Sequence, residues 1–157
     1  PELISGIAKN YGIEEDVLLT IIETHCKTTG FTEDGELVMQ YSPDWFEAVT
    51  GKWASTFEDA CAINKKLAHH STAWGLGGVM GCNFADAGYV DVYTMTLLFS
   101  DSEVEQLKGF VSCLCASKRL HKAITEKDCA MIAYHFRMPN FTTLNTIHEL
   151  KSHYQNL

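Results

Sequence analysis

The passage Glu14–Tyr41, EEDVLLTIIETHCKTTGFTEDGELVMQY, leaves this chain the fewest ways to fold. Its first part has helical spacing. Val17, Leu18, Ile21 and Ile22 recur on one side, and the acids Glu14, Glu15 and Asp16 suit an N-terminal end, where the helix dipole favours negative charge. Gly30 is a natural stop. Thr32-Glu33-Asp34-Gly35, between Phe31 and Leu37-Val38-Met39, then reads as a hairpin turn with Asp-Gly as its signal. A helix that feeds a small hairpin sets the residues near its exit, Glu23 among them, where a cleft can open. A carboxyl partly withdrawn from water at such a place keeps its proton near neutral pH and can act as a general acid. The same residue on an open helix face is only a solvated glutamate.

The 157 residues amount to one domain, 1–157, with enough apolar content for a proper core. A net charge of −8 argues against a nucleic-acid binder, because phosphate neutralisation requires a basic stripe. It also gives no electrostatic help toward an anionic envelope. No basic segment precedes an apolar run, and no run of apolar residues is long enough for a membrane span, so neither a signal peptide nor a span is expected. Cys26, Cys61, Cys82, Cys113, Cys115 and Cys129 lack the paired spacing of a zinc site and read as buried free thiols, which matches synthesis in a reducing cytosol. His69-His70, the one adjacent histidine pair, falls at a helix end and suits a partner for the C-terminal dipole better than a metal site.

In order, the pattern is that of a mainly α chain with one small β-hairpin. Glu2–Asn10 is a short amphipathic helix ended by Gly12. Ser42 caps a helix with Pro43 at its first position, and Gly51 stops it. Ser55 with Glu58 and Ser100 with Glu103 form capping boxes for two more helices. Asp91 caps a helix over 92–99, Thr125 with Asp128 opens one running toward Tyr134, and a last one covers about 143–154. Ala73–Asn83, AWGLGGVMGCN, is dense in glycine but lacks the strand-turn-helix context and the Lys-Ser/Thr of a phosphate loop. It reads either as a tight bend that lets backbone approach a ligand, with Trp74 offering an aromatic face and Asn83 a polar end, or as a packed helix–loop–helix corner.

Glu23-Thr24-His25…Gly30-Phe31, Asp34-Gly35, Ala73-Trp74-Gly75-Leu76-Gly77…Val79-Met80-Gly81…Asn83 and Ala87-Gly88-Tyr89, in that order, resemble the N-acetylmuramidase family of phage endolysins. The resemblance covers most of the chain, and the Trp-Gly-Leu-Gly…Val-Met-Gly…Asn stretch is its most specific part. It implies an all-α, lysozyme-like fold with a small hairpin, and hydrolysis of the bond between N-acetylmuramic acid and N-acetylglucosamine in peptidoglycan. Glu23 falls on the family's catalytic glutamate. Trp74, Gly75, Gly78 and Asn83 would floor a groove for the glycan strand, with Tyr134 and His135 on its far wall. No metal or organic cofactor is implied. A separate wall-binding module, common among such lysins, would lie outside these residues.

The chain departs from the family's pattern at three places. An ungapped count from Glu23 puts Gln40 where the family has a second glutamate, Gly78 replaces a glutamine, and His135-Phe136 replaces Asn-Gly. Glycoside hydrolysis normally uses two carboxyl groups, and glutamine can orient a water but cannot take its proton. Asp34, Glu36 and Asp44 lie nearby in sequence, and only Glu36 would share the strand face of Gln40. Two readings follow. One is a muramidase with Glu23 as general acid and Gln40 at the water; the other is a catalytically impaired domain of the same fold that binds glycan or a protein partner.

Overall fold

The computed structural model describes residues 2–26 and 29–136. Among them eight helices, three short strands and one 3-10 turn follow in order: α1 Glu2–Tyr11, α2 Glu15–His25, β1 Met39–Tyr41, α3 Pro43–Thr50, α4 Phe57–His70, β2 Thr72–Trp74, β3 Val79–Met80, the 3-10 turn Gly81–Asn83, α5 Val92–Asp101, α6 Glu103–Ala116, α7 Lys118–Thr125 and α8 Cys129–Phe136. The chain divides into two compact units, residues 1–27 with 114–157, and residues 28–113. The mainly α class expected from the sequence is the one observed, and the helix expected over 143–154 lies outside the described residues.

In the first unit α1 packs on α2 and α7 on α8. Val17, Leu18 and Ile21 of α2 are buried, as are Leu120, Ala123 and Ile124 of α7 and Ile132 and Ala133 of α8. Two threonines share the buried side of α2 because each satisfies its own hydroxyl. Thr20 Oγ1 donates to the Asp16 carbonyl at 2.8 Å and Thr24 Oγ1 to that of Thr20 at 2.7 Å.

The second unit is built around a sheet in the order β1-β2-β3, antiparallel throughout. The Asp34-Gly35 hairpin forms as expected, closed by a Phe31–Leu37 bridge and a Val38 N–H bond to the Gly30 carbonyl at 3.0 Å. The glycine-dense stretch is not a helix–loop–helix corner, and the tight bend expected there is the turn at Gly75–Gly78. The stretch is a second hairpin, β2 and β3 joined through Gly75–Gly78, followed by the 3-10 turn. The strands escaped because they are only three and two residues long, too short for an alternation to be read, with the glycines in the turns beside them.

Several helix starts also shift. Ser42 caps α3 and Gly51 ends it in the left-handed region, and Asp91 caps α5, all as expected. For α4 the cap is Thr56, which accepts from the Asp59 N–H at 3.2 Å, one residue after Ser55; two cap spacings overlap there and spacing alone cannot rank them. Ser100 stays inside α5, bonded to the Thr96 carbonyl, and Ser102 starts α6 instead. Thr125 ends a helix unforeseen in sequence, α7, and Asp128 caps α8. Within α4, Asn64 leaves the helical region and its Oδ1 accepts from the Leu67 N–H at 3.0 Å, so the helix restarts with its own cap.

The buried amide of Gln106, 0% exposed on α6, holds this unit's loops in place. Its Nε2 donates to the carbonyls of Phe99 at 2.9 Å and Gly30 at 3.4 Å, and its Oε1 accepts from the Leu76 N–H at 2.9 Å. Glu103, one turn earlier, accepts from the Gly30 N–H at 2.8 Å. The backbone comes so close that a Cβ built on Gly30 would lie 2.7 Å from Gln106 Cδ, and one on Gly75 2.9 Å from its Oε1.

An aromatic cluster packs beside the sheet. Trp74 is stacked on His69 with centroids 5.5 Å apart and meets the edge of Phe57 at 5.7 Å, while Tyr41 meets Phe46 and Phe57. His69 also meets Tyr93 at 5.0 Å, and His70 lies against Phe84 at 5.7 Å. Burial lowers the pKa of both histidines from the usual 6.5, with Lys66 and His69 adding to the fall at His70. The pair is therefore neutral at pH 7. It does not act as the charged dipole partner expected from sequence, and His69 works instead as an aromatic ring whose Nδ1 meets the Lys65 carbonyl at 2.7 Å.

Two outcomes follow for stability. Gln106→Ala strands two carbonyls and one N–H in the interior and should cost about 2–4 kcal/mol in urea unfolding. The isosteric Gln106→Glu should also destabilise, because a carboxylate cannot donate to the Phe99 and Gly30 carbonyls; a loss below about 0.5 kcal/mol in both would contradict the role given to this amide. The second outcome concerns pH. Histidines whose folded pKa is depressed contribute stability that is complete above 6.5 and is lost as pH falls through their folded values. The thermal midpoint should fall between pH 7 and pH 5, and less steeply in His70→Gln. A midpoint that is level or rising toward pH 5 would refute this.

Candidate active site

Each expected site residue can be placed within its own unit. Glu23 stands in the last turn of α2, exposed, between Ile22 and the buried Thr24. Among the described residues its carboxylate makes no hydrogen bond and no ion pair. The partial withdrawal from water expected of it is thus missing in the free chain, since the buried side of α2 is taken by Val17, Leu18 and Ile21. Its position is electrostatically unusual. Glu15 and Asp16 lie in the first turn, where the dipole welcomes them, whereas Glu23 lies at the end where the dipole opposes negative charge. The same unit carries Tyr134, 63% exposed on α8, with its ring edge-on to His135 at 5.7 Å. His135 Nε2 is buried and finds no hydrogen-bond partner among the described residues.

In the second unit the sheet register sorts the remaining residues onto two faces. Gln40 pairs with Ala73, and Ala73 with Met80, so these three form a row across the strands and point the same way. Gln40 is exposed, and Ala73 and Met80 are half-buried. Thr72 and Trp74 alternate with Ala73 and are buried on the opposite side. Trp74 therefore does not share a face with Gln40. At 6% exposure, with His69 stacked on it and its Nε1 donating to the His69 carbonyl at 3.0 Å, it has little ring left for a sugar. Its part is to fix the sheet against α4.

The turn after Trp74 is held from both ends. Gly75 N–H donates to the Val38 carbonyl at 2.8 Å and Gly78 N–H to that of Gly75 at 3.1 Å. Gly78 is exposed with a φ of 60°, a conformation that strains a glutamine and suits the glycine found here. Asn83, also exposed, closes the 3-10 turn and is flanked by two thiols. Cys82 Sγ donates to its Oδ1 at 3.7 Å and Cys113 Sγ to its carbonyl at 3.8 Å. Burial pushes Cys82 up and Cys113 up to about 12, so both stay protonated and serve as donors. All six cysteines are free thiols, Cys129 buried and the rest half-buried. Burial likewise raises Cys26 to about 12 and Cys115 to about 11, which removes them as nucleophiles at neutral pH.

Of the two expected catalytic residues, both the Glu23 carboxyl and, on the open sheet face, the Gln40 amide are exposed. Glu36, the acid that shares its strand face, lies before β1 in the hairpin and is exposed, its N–H held by Thr32 Oγ1 at 3.1 Å. Among the described residues no group of three His, Cys, Asp or Glu side chains is placed to hold a metal ion, and no helix is long and apolar enough to cross a membrane. Sequence reading missed the residues that position this surface. Gln106 carried no signal, being a lone glutamine among helix residues, and Glu105, which accepts from the Tyr89 hydroxyl at 3.0 Å, looked like any surface acid.

A family model of N-acetylmuramidases matches residues 48–157. The match takes in Trp74, Gly75, Gly78, Asn83, Tyr134 and His135, while Glu23 and Gln40 precede it. No curated protein matches the chain. Among solved structures, the endolysin of the Burkholderia phage AP3 superimposes with a TM-score of 0.82, at 21% identity, over 98% of this chain and 71% of that one. That likeness gives the fold, a lysozyme-like one, in agreement with the helices and small sheet seen here. Since the family match covers well over half of its residues, the chain belongs to the N-acetylmuramidase family and is a lysozyme-type glycoside hydrolase of peptidoglycan.

Proposed function

We propose that Glu23 is the general acid, which gives its proton to the glycosidic oxygen between N-acetylmuramic acid and N-acetylglucosamine as that bond breaks through an oxocarbenium-like transition state. The observation that carries this reading is the placement of Glu23, an exposed carboxyl free of ion pairs among the described residues, in the last turn of α2, the end that helix electrostatics does not favour for an acid. Every other acid of α2 sits at the favourable end. Stability alone would not put a glutamate there, and proton donation gives it a use. A sugar ring laid over an exposed carboxyl would supply the desolvation that the free chain lacks.

Gln40 takes the position of the water. On the open face of β1 its amide can accept from and donate to a water molecule, holding it toward the anomeric carbon, and the proton that the water loses passes to solvent. The step needs a carboxyl and a positioned water, and no metal or organic cofactor enters it. In this reading Gly78 and Asn83 of the second unit and Tyr134 and His135 of the first meet the glycan strand, and Trp74 and Gly75 fix the turn that carries Gly78. The chain meets its substrate at the wall after synthesis in the bacterial cytoplasm and release, with any separate wall-binding module adding local concentration.

Release of reducing muropeptides from purified peptidoglycan tests the assignment. Glu23→Gln should lower the rate by about 10²–10⁴-fold, and should leave the fold as stable or more stable by a few tenths of a kcal/mol, because a charge is removed from the wrong end of a dipole. Gln40→Ala should lower the rate about tenfold, the worth of one hydrogen bond, and Gln40→Glu should raise it by adding a group able to take the proton. Undiminished release by Glu23→Gln would sink the assignment of the acid. Equal rates for Ala, Gln and Glu at position 40 would remove Gln40 from the reaction.

A further inference from the structure

Of the 12 Lys and Arg residues in this acidic chain, Lys118, Arg119, Lys122 and Lys127 fall within ten positions, on α7 and the turn that follows it. Their placement runs against helix electrostatics. Lys118 and Arg119 occupy the first turn of α7, where the helix dipole disfavours a cation. The helices α2 and α4 put acids there. Among the described residues neither Lys118 nor Arg119 has a carboxylate partner, so no ion pair explains them.

A cavity of about 280 Å³ lies at this spot, lined by Arg119, Lys122, Ala123, Glu126, Asp128 and Met131. Arg119 and Lys122 are three residues apart and share a helix face. Glu126 and Asp128 bring two carboxylates to the turn between α7 and α8, and Ala123 and Met131 supply apolar lining. Lys122 Nζ stands 3.8 Å from Glu126 Oε1, a loose pair with both side chains largely in water, which a ligand can open at little cost.

The frame around the cavity is firmly held. Leu120, Ala123 and Ile124 bury one side of α7, and His121 Nε2 meets the Tyr11 carbonyl at 2.8 Å. The turn is a Schellman motif, with Asp128 N–H donating to Ala123 O at 2.9 Å and Lys127 N–H to Ile124 O at 3.2 Å. Lys127 fills its left-handed position at a φ of 56°, where glycine is usual, and its Nζ reaches Glu14 Oε2 at 2.7 Å. Asp128 is oriented by the Met131 N–H at 3.1 Å. The backbone that carries the cations and carboxylates and the Asp128 side chain are thus held before any ligand arrives, while Arg119, Lys122 and Glu126 stay free to turn toward one.

We propose that this cavity binds a short peptide bearing a carboxylate and an amine near each other: the peptide stem of peptidoglycan, whose free carboxylates and cross-linking amine fit Arg119 with Lys122 and Glu126 with Asp128. A polyanion would meet the two acids of the same cavity and be repelled by them, which is why a peptide is favoured over a phosphate-bearing polymer. The choice of peptide source rests on the muramidase reading; the zwitterion site itself does not. It would bind the polymer through its stems, apart from the sugar chemistry.

Calorimetric titration of the full chain with a synthetic stem tetrapeptide tests this. Binding is expected, weakened about tenfold or more in Arg119→Gln/Lys122→Gln and, independently, in the surface variant Glu126→Gln, with thermal midpoints close to the parent's. KM on intact peptidoglycan should rise in these variants while kcat holds, and KM on peptide-free glycan chains should stay the same. No binding to the parent chain, equal binding by all variants, or displacement of the peptide by inorganic phosphate as readily as by a second peptide would each overturn the proposal. The two readings fail separately. Peptide binding that survives in Glu23→Gln belongs to this site, and a parent chain that binds peptide but releases no muropeptide would refute the catalytic reading alone.

Discussion

The carboxamide of Gln106 ties together the last turn of one helix and two loops. Through one side chain, the C-terminal part of α5, the loop before the first hairpin and the turn of the second hairpin are bonded to α6. A glutamine can do this because it donates and accepts at opposite corners of one rigid plane, which glutamate and leucine cannot. Full burial strengthens each bond and makes each loss expensive. It also explains the glycines at 30 and 75, whose hydrogens leave room for the amide to approach. The open sheet face, with Gln40 on it, takes its place from β2, and β2 leads straight into the turn that Gln106 holds.

Local chemistry was legible in the sequence where a single residue type does a single job. Ser42, Asp91 and Gly51 were read correctly because a cap is decided within four residues of chain. The Asp34-Gly35 turn was read for the same reason. What escaped was decided at long range or by competition. Gln106 and Gly30 are 76 positions apart, and nothing in either neighbourhood announces the other. Thr56 and Ser102 won over Ser55 and Ser100 by small differences between overlapping caps. α7 was missed because its charges stand at the end where a helix start is not looked for.

That last failure has the same physical root as the placement of Glu23. Helix dipoles give a weak but definite rule for where charges belong, and α2 and α4 follow it in their first turns. Glu23 and the pair Lys118 and Arg119 break it, on surfaces that water reaches and without partners among the described residues that would repay the cost. Charges that structure does not use are available to a ligand, and both sets lie in the unit that carries Tyr134 and His135. Locally unfavourable charge is thus a better guide here than aromatic content, which pointed to Trp74 and found it buried under His69.

The faces of the sheet carry the argument about the second catalytic position further. Residue 40 is exposed, and its cross-strand neighbours Ala73 and Met80 offer neither a carboxylate nor a cation. A glutamate at this position would have no partner in its row to stabilise its charge and none to raise its basicity. The amide found there is neutral at every working pH, so in the proposed reading it would hold a water in the same way whatever the charge of the wall around it.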